Sequence, residues 1–511
     1  MPIPVIDLFS GPGGLGEGFS SFNDGKSFRI VVSAEMESSA HATLLLRSYF
    51  RRVRHQEKDA RVYFDFCNGK TSTAWNQTTK SAWEEAEREA QKLTLGDPQH
   101  NTVLDQLLAT RITGDKECIL IGGPPCQAYS LVGRSRNQGN EKYRAEDDHR
   151  HFLYREYLRI LKRCRPAVFV MENVRGILSA RVGGRKIFND ILADLADPDR
   201  ALLGFGLGTK YRIHSLVTPT YFEDGMDPAS LDPSDFVIRS ENYGVPQARH
   251  RVILMGVRDD IGIAPIPVPT MGRLTVNDAI GDLPRLRSRL SKSPDSPESW
   301  AEIVKNHLSE LASDANSRGL KELAEAMSSA AVRVRSDQSF GALRFAQDPI
   351  PSLQPDVLRN WYHDERLAVF LNHETRGHMS SDLRRYAYAA AYAQSSGVSP
   401  KGHDQFQLAG LRPDHANWET GKFSDRFRVQ VAGAPSTTIT SHISKDGHYF
   451  IHPDTSQCRS LTVREAARLQ TFPDNYFFQG NRTQQFHQVG NAVPPILAKQ
   501  VAEMVAHLIN Q

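Results

Sequence analysis

Short apolar runs that end on glycine, proline or asparagine turns set the strongest limit on how this chain folds. Residues 5–9 (VIDLF) lead into a glycine-rich turn, residues 119–121 (ILI) into Gly-Gly-Pro-Pro, and residues 167–171 (AVFVM) into Glu172-Asn173-Val174. Residues 29–36, 211–217 and 251–257 complete six strand candidates. Helical patterns lie between them: residues 41–50 form one, and Leu153, Tyr157, Ile160 and Leu161 recur at i, i+4, i+7 and i+8 on one helix face. Short, continuously apolar strands suit a sheet covered on both faces, and their alternation with helices implies parallel pairing. The first 260 residues therefore predict an α/β fold with a mostly parallel sheet.

Two stretches break this rhythm. Residues 71–113 contain a polar, alanine- and glutamate-rich helix at 82–93 and are read as a helical insertion. Beyond Asp259, Pro265, Pro267 and Pro269 alternate with Ile266 and Val268 like a linker, and mixed helical and polar segments follow. Residues 259–457 hold 22 Lys/Arg against 24 Asp/Glu, so this region is not a simple basic patch. Pro494 and Pro495 then open a helix whose Leu497, Val501, Met504, Val505 and Leu508 share a face. Packed back on the N-terminal sheet, that helix makes the middle region an insertion. The expected division is 1–258, 259–457, a motif-bearing hinge at 458–484, and a return to the first unit at 485–511.

Composition narrows the class. Of the 511 residues, 40% are hydrophobic and 24% charged, which excludes collagen-like and disordered chains. No apolar run approaches the ~18–20 residues that span a bilayer, so no membrane association is expected. The start, MPIPVIDLFSG, has no basic n-region or cleavage site, and five scattered cysteines do not form a disulfide framework. A reduced, cytoplasmic location is expected. The net charge of +3 requires an acidic partner to be recognised by local patches.

Four motifs carry chemistry. Asp7-Leu-Phe-Ser-Gly11-Pro-Gly13-Gly14-Leu-Gly16 satisfies G-x-G-x-x-G between a strand and a helix, and Glu35 ends the second strand about 20 residues on. Glycine is needed where a nucleotide-like ligand approaches the backbone, and the acid accepts hydrogen bonds from a ribose. The motif alone also fits a plain tight turn, and Glu35 favours the ligand. Next, Gly122-Gly-Pro124-Pro125-Cys126-Gln127 places a cysteine on a stiff loop at a strand's carboxyl end. Most lone cysteines are inert and buried, but this one is a candidate nucleophile once its thiol, with an ordinary pKa near ~8.5, is activated. Glu172-Asn173-Val174 offers either a cap or a general acid beside Cys126. In Gln247-Ala-Arg249-His-Arg251, strand alternation places both arginines on one face toward one site, with a solvated strand edge as the plain alternative.

Together these motifs resemble the ordered motifs of the DNA cytosine-5 methyltransferase family. Arg464-Glu-Ala-Ala-Arg468-Leu-Gln470-Thr-Phe-Pro473 and Gln488-Val-Gly490-Asn491-Ala-Val-Pro494 extend the match, which covers about residues 3–258 and 459–509. The resemblance implies a Rossmann-like S-adenosylmethionine-dependent methyltransferase domain with a smaller target-recognition domain inserted before the C-terminal helix. It implies Cys126 as nucleophile, Glu172 as the group that holds and protonates cytosine N3, and Asn173, Gln127 and Arg251 around the flipped base. Phe9, Gly11, Gly13, Gly14, Glu35, Met36 and Asn491 would surround S-adenosylmethionine. Asp65 is the candidate for a further cofactor-contacting aspartate. The loop at 128–149 would close on double-stranded DNA through Ser130, Arg134 and Arg136, aided by Arg249.

The resemblance also implies a bacterial or phage modification enzyme working beside a restriction nuclease or another defence partner. Structured RNA is the rival substrate. A dinucleotide-dependent dehydrogenase explains the glycines and Glu35 but not Cys126, Glu172 and Arg251, and an intact Cys126–Glu172 pair argues against a silent relative. His448, His452 and Cys458 lie close in sequence, yet the segment reads as a strand and turn, and no metal is expected. The basic run Arg51-Arg52-Val-Arg54 closes a helix and complements its dipole.

Overall fold

A computed structural model describes residues 2–112, 117–125, 150–182, 184–205, 208–346, 355–413 and 426–509. Five strands lie parallel in the order β3-β2-β1-β4-β5: β1 (Ile3–Leu8), β2 (Phe28–Glu35), β3 (Ala90–Lys92), β4 (Ile119–Gly122) and β5 (Val168–Val174). The other half of the sheet reverses direction. In chain order its strands are β6 (Tyr211–His214), β7 (Tyr221–Phe222), β8 (Val237–Arg239) and β9 (His250–Arg258). Among these, β9 pairs antiparallel with β5, β6 and β8, and β7 with β6. The sheet is thus mixed: the parallel half carries the first three motifs, and the fourth enters the antiparallel β9.

Period-two alternation, shifted by an irregularity at Val31 of β2, sorts the strand residues into two cores. Ile6, Leu8, Val32, Leu120, Phe169 and Met171 face one side; Val5, Ile30, Ile119, Ile121, Val168 and Val170 face the other. Helices of the first unit follow in chain order: α1 (Gly14–Ser21), α2 (Ser38–Val53), α3 (Glu57–Cys67), α4 (Lys80–Glu89), α5 (Pro98–Arg111), α6 (Arg150–Cys164) and α7 (Ile187–Ala196). Tyr157, Ile160 and Leu161 of α6 cover the first face, as the spacing predicts. The second face is covered by α1 and by the last helix.

The stretch at 71–113 differs from expectation. Only Lys80–Glu89 is helical there before β3 joins the sheet edge beside β2, and α5 follows as an ordinary connection. The second half of this stretch is therefore a β-α unit of the fold. Its strand escaped notice because Ala90-Gln91-Lys92 is short and only partly apolar. Helix α3 was also unforeseen, and Glu172, Asn173 and Val174 belong to β5 instead of following it.

The middle region builds its own core from α8 (Pro297–Ser317), α9 (Lys321–Arg333) and α10 (Ser380–Ser396), with Trp300, Leu308, Met327 and Tyr386 buried between them. It also carries the antiparallel pair β10 (Gly341–Ala346) and β11 (Val369–Glu374). Three helices end the described chain: α11 (Val463–Leu469), α12 (Arg482–Asn491) and α13 (Pro495–Ile509). A separate apolar cluster joins Val276, Ile280, Leu358 and Phe370 to Leu469, Phe472, Phe478 and Phe486. Among the described residues, no helix is long and apolar enough to cross a membrane.

Candidate active site

A cavity of about 530 Å³ opens at the carboxyl ends of β1, β2, β4 and β5. This is where open α/β sheets place ligands, because the loops diverge there. Register brings the ends together: Leu8 pairs with Ala34 and Gly122, and Gly122 with Met171. Phe9, the next residue after β1, takes a φ of 56°, a left-handed conformation unusual for an aromatic residue. It holds its ring on the cavity wall beside Gly11 and Gly14. Across the cavity stand Glu35 and Met36, then Leu93 and Leu95 beyond β3.

Glu35 braces the glycine loop. Its Oε2 accepts from the Gly11 amide at 2.8 Å and its Oε1 from the Glu37 amide at 2.7 Å. Each carboxylate oxygen has a second lone pair for a ligand hydroxyl. Gly14 is required by close approach: a side-chain carbon there would lie 2.3 Å from the Val493 carbonyl oxygen. Val493 and Asn491, from the far end of the chain, therefore form part of the same wall. Gly13 is not on that wall. It is the N-cap of α1 with φ 98°, facing Leu44 and Tyr476.

Asp7 is a site residue whose role the sequence did not reveal. It lines the cavity and is fully buried, and both carboxyl oxygens lack a hydrogen-bond partner. Burial raises its pKa to about 8, against the opposing pull of Arg51. His487 and Gln488 also line the cavity unforeseen, brought there by α12.

The chemical end of the cavity is formed by Glu172, Asn173, Pro124 and Pro125. Arg251 Nε lies 2.9 Å from Glu172 Oε1, both side chains being largely buried. The pairing follows from register, since Ile253 sits opposite Glu172 and Arg251 opposite Val174. Asn173 Nδ2 donates to the Pro124 carbonyl at 3.2 Å, and its Oδ1 accepts from the Val174 amide at 2.8 Å. Asn173 thus ties the end of β5 to the loop that leads into Cys126. Cys126, Gln127, Ser130, Arg134 and Arg136 lie outside the described residues.

Two expectations are corrected. Asp65 is on α3 and pairs with Lys70 at 3.2 Å and Arg61 at 3.8 Å, away from the cavity. The apolar Leu93 and Leu95 line the cavity beyond β3 instead. Arg249 is 1% exposed and is no DNA contact. Its Nη1 donates to the carbonyls of Ile439 (2.9 Å) and Gly490 (3.2 Å), and its Nη2 also to Gly490. Gln247 is equally buried and clamps Leu469, Gln470 and Ile439. This motif locks the two parts of the chain together, while Arg251 alone reaches the site.

Further buried pairs organise the C-terminal motif. Arg459 meets Glu465 at 2.6 Å, and Arg468 meets Asp474 at 2.7 Å and Asp282 at 2.6 Å. Arg464 donates to the carbonyls of Leu371, Pro473 and Tyr476. Among the described residues, no cluster of His, Cys, Asp or Glu is arranged to hold a metal ion. His448 instead meets the Tyr386 hydroxyl at 2.7 Å, and Cys458 Sγ donates to the Leu383 carbonyl.

Comparison with known proteins identifies the family. A type II methyltransferase of Bacillus paralicheniformis, M.Bpa9945I, is 32% identical, covering 99% of each chain. The DNA (cytosine-5-)-methyltransferase M.ApeKI of Aeropyrum pernix is 25% identical over 99% of this chain and 98% of its own. Among solved structures, a prophage-encoded E. coli protein described as a DNA modification methyltransferase superposes over the whole of both chains. Its TM-score is 0.53 at 18% identity, a likeness of fold. The family model for C-5 cytosine-specific DNA methylases matches residues 72–199 and 234–507. The chain belongs to the C-5 cytosine-specific DNA methylase family and is an S-adenosylmethionine-dependent DNA cytosine methyltransferase.

Proposed function

We propose that this enzyme methylates cytosine C5 in a specific double-stranded DNA sequence by base flipping and covalent catalysis through Cys126. The observation that carries this is the convergence of Glu172, Arg251 and the Asn173-anchored loop before Cys126 beside the cofactor cavity. The cavity fits S-adenosylmethionine: Glu35 keeps acceptor capacity for ribose hydroxyls, and Phe9, Leu93 and Leu95 offer apolar wall for adenine. Gly11 has open space beside its backbone for the methionine end, and Asp7 is an unpartnered carboxyl on the same wall. When bound, S-adenosylmethionine supplies an electrophilic methyl group.

The chain's residues make the base reactive. Cytosine C5 is a weak nucleophile, so the base first leaves the duplex to reach the pocket. The Cys126 thiolate donates its electron pair to C6, forming the S–C6 bond. The C5=C6 pair shifts toward C4 and N3, and N3 takes a proton from Glu172. The resulting enamine is nucleophilic at C5. After methylation a base takes the C5 proton, C5=C6 re-forms with expulsion of the thiolate, and N3 returns its proton to Glu172. Arg251 holds Glu172 and faces the base.

Residues 259–457 are proposed to carry target recognition, and a restriction nuclease of the same modification system is the proposed partner. Ser130, Arg134 and Arg136 are proposed to meet DNA. The test uses duplex DNA with 5-fluorocytosine at the target. Fluorine cannot leave as a proton, so an adduct stable to denaturing electrophoresis is expected with wild type and not with Cys126→Ser. Absence of the adduct on DNA whose unfluorinated form is methylated would rule out the covalent route.

A further inference from the structure

The amino ends of β1 and β2 open on a second cavity, of about 820 Å³. β1 has six residues, and at roughly 3.3 Å per residue the two cavities lie about 20 Å apart at opposite ends of the strands. Six arginines line the second one: Arg29 at the start of β2, Arg51, Arg52 and Arg54 at the end of α2, Arg88 in α4, and Arg111 in α5. Only two carboxylates, Glu85 and Glu89, stand against them, so four positive charges are in excess before His55 is counted.

Arginines at helix ends are commonly explained by the dipole, and three helices do end here. Each terminus supplies about half a negative charge, roughly −1.5 in all, which leaves most of the excess unbalanced. Glu89 is already committed to Arg51 and Arg52. The other terminal nitrogen of Arg51, Nη1, is buried without a partner, and the side chain is only 9% exposed. Arg111 donates to the carbonyls of Val31 and Arg88, and Arg54 to that of Ser20, which fixes both guanidinium groups around the cavity. Burial, reinforced by neighbouring arginines, lowers the pKa of Arg54 and Arg111. At Arg54 and Arg111 positive charge is held at a cost that a bound anion would offset, and Arg51, whose charge Glu89 already supports, keeps a buried nitrogen free to donate.

We propose that this cavity is an anion site for a multiply charged phosphate group, separate from the cofactor pocket. Planar guanidinium forks match phosphate oxygens in pairs, and the volume suits a ligand of polyphosphate or nucleotide size. Phe28 is 2% exposed, so the cavity presents no open ring for a base. Recognition is therefore of the phosphates, supplied either by a free polyanion or by the backbone of a DNA strand.

The test is calorimetric titration of the full chain with inorganic tripolyphosphate at low salt. Arg29 and Arg88 are exposed and form no ion pair or side-chain hydrogen bond among the described residues, so the double variant Arg29→Glu with Arg88→Glu should fold, which circular dichroism checks. One-to-one, saturable binding is expected in wild type and at least tenfold weaker binding in the double variant. Arg29→Gln with Arg88→Gln should give the same result at smaller amplitude. If cytosine-free poly(dA)·poly(dT) duplex displaces tripolyphosphate from wild type, the site serves a DNA backbone; if it does not, the site serves a free polyanion. No saturable binding, or equal binding by wild type and both double variants, would overturn the proposal.

Discussion

Asp7 shows how one buried carboxyl couples stability to pH. Its folded pKa is raised to about 8 from the usual 3.8, so the folded protein holds this proton more tightly than the unfolded chain. The associated stability is complete below pH 3.8 and is lost as pH rises toward 8. Asparagine cannot ionise, so Asp7→Asn should gain stability over wild type across that window, by a few kcal/mol at about 1.4 kcal/mol per tenfold change in proton affinity. Thermal unfolding from pH 4 to pH 8 measures this, and a constant difference between the two proteins would contradict it. Arg249 makes a second case. Arg249→Ala leaves the Ile439 and Gly490 carbonyls unpaired in the interior, at an expected cost of about 1–3 kcal/mol. Denaturant midpoints should fall, while DNA affinity of the folded variant changes less than twofold; a selective loss of DNA affinity would restore Arg249 to the interface. Phe9, Glu35 and Glu172 were legible as neighbours in one cavity, and Arg251 as a neighbour of Glu172, because each sits in or beside a strand that apolar patterning marks. Arg249 was misread because alternation was extended one residue too far: β9 starts at His250, so Arg249 does not share the strand's facing.

The docking of α13 on α1 explains how residues nearly 500 positions apart share one site. A side-chain carbon on Gly18 would lie 2.3 Å from Ala498 Cβ and 2.5 Å from the backbone of Ala498 and Lys499. The helices touch backbone to backbone, and this contact carries Val493 onto the glycine loop. Gly18→Ala should therefore separate them, costing about 1–3 kcal/mol as an overpacked core does. Urea unfolding reads the loss, and an unchanged midpoint would mean that α13 is held elsewhere. The apolar face of α13 was readable from Leu497, Val501 and Val505, all of which are buried against the sheet. Strand β3 was not readable, because an edge strand of three residues leaves almost no pattern. Asp65 was chosen for the same reason: with β3 hidden, nothing in the 71–113 stretch showed that Leu93 and Leu95 reach the cavity.

The molecule as a whole is less cleanly divided than its motif order suggests. Helices α8, α9 and α10 have their own core, yet Val276, Ile280 and Phe370 pack with Phe472 and Phe486 of the C-terminal motif segment. Arg464, Arg468 and Gln247 fasten that segment from several directions. The cavity at the strand ends is thus held between a mixed sheet and a chain end that returns across the middle region. What this arrangement does is best measured by bisulfite sequencing of the genome of a host expressing the protein. The account predicts 5-methylcytosine confined to one short sequence context in cells with wild type and absent from cells with Cys126→Ser. Unmodified DNA in cells containing folded, S-adenosylmethionine-binding protein, or equal modification by the Cys126→Ser variant, would contradict it.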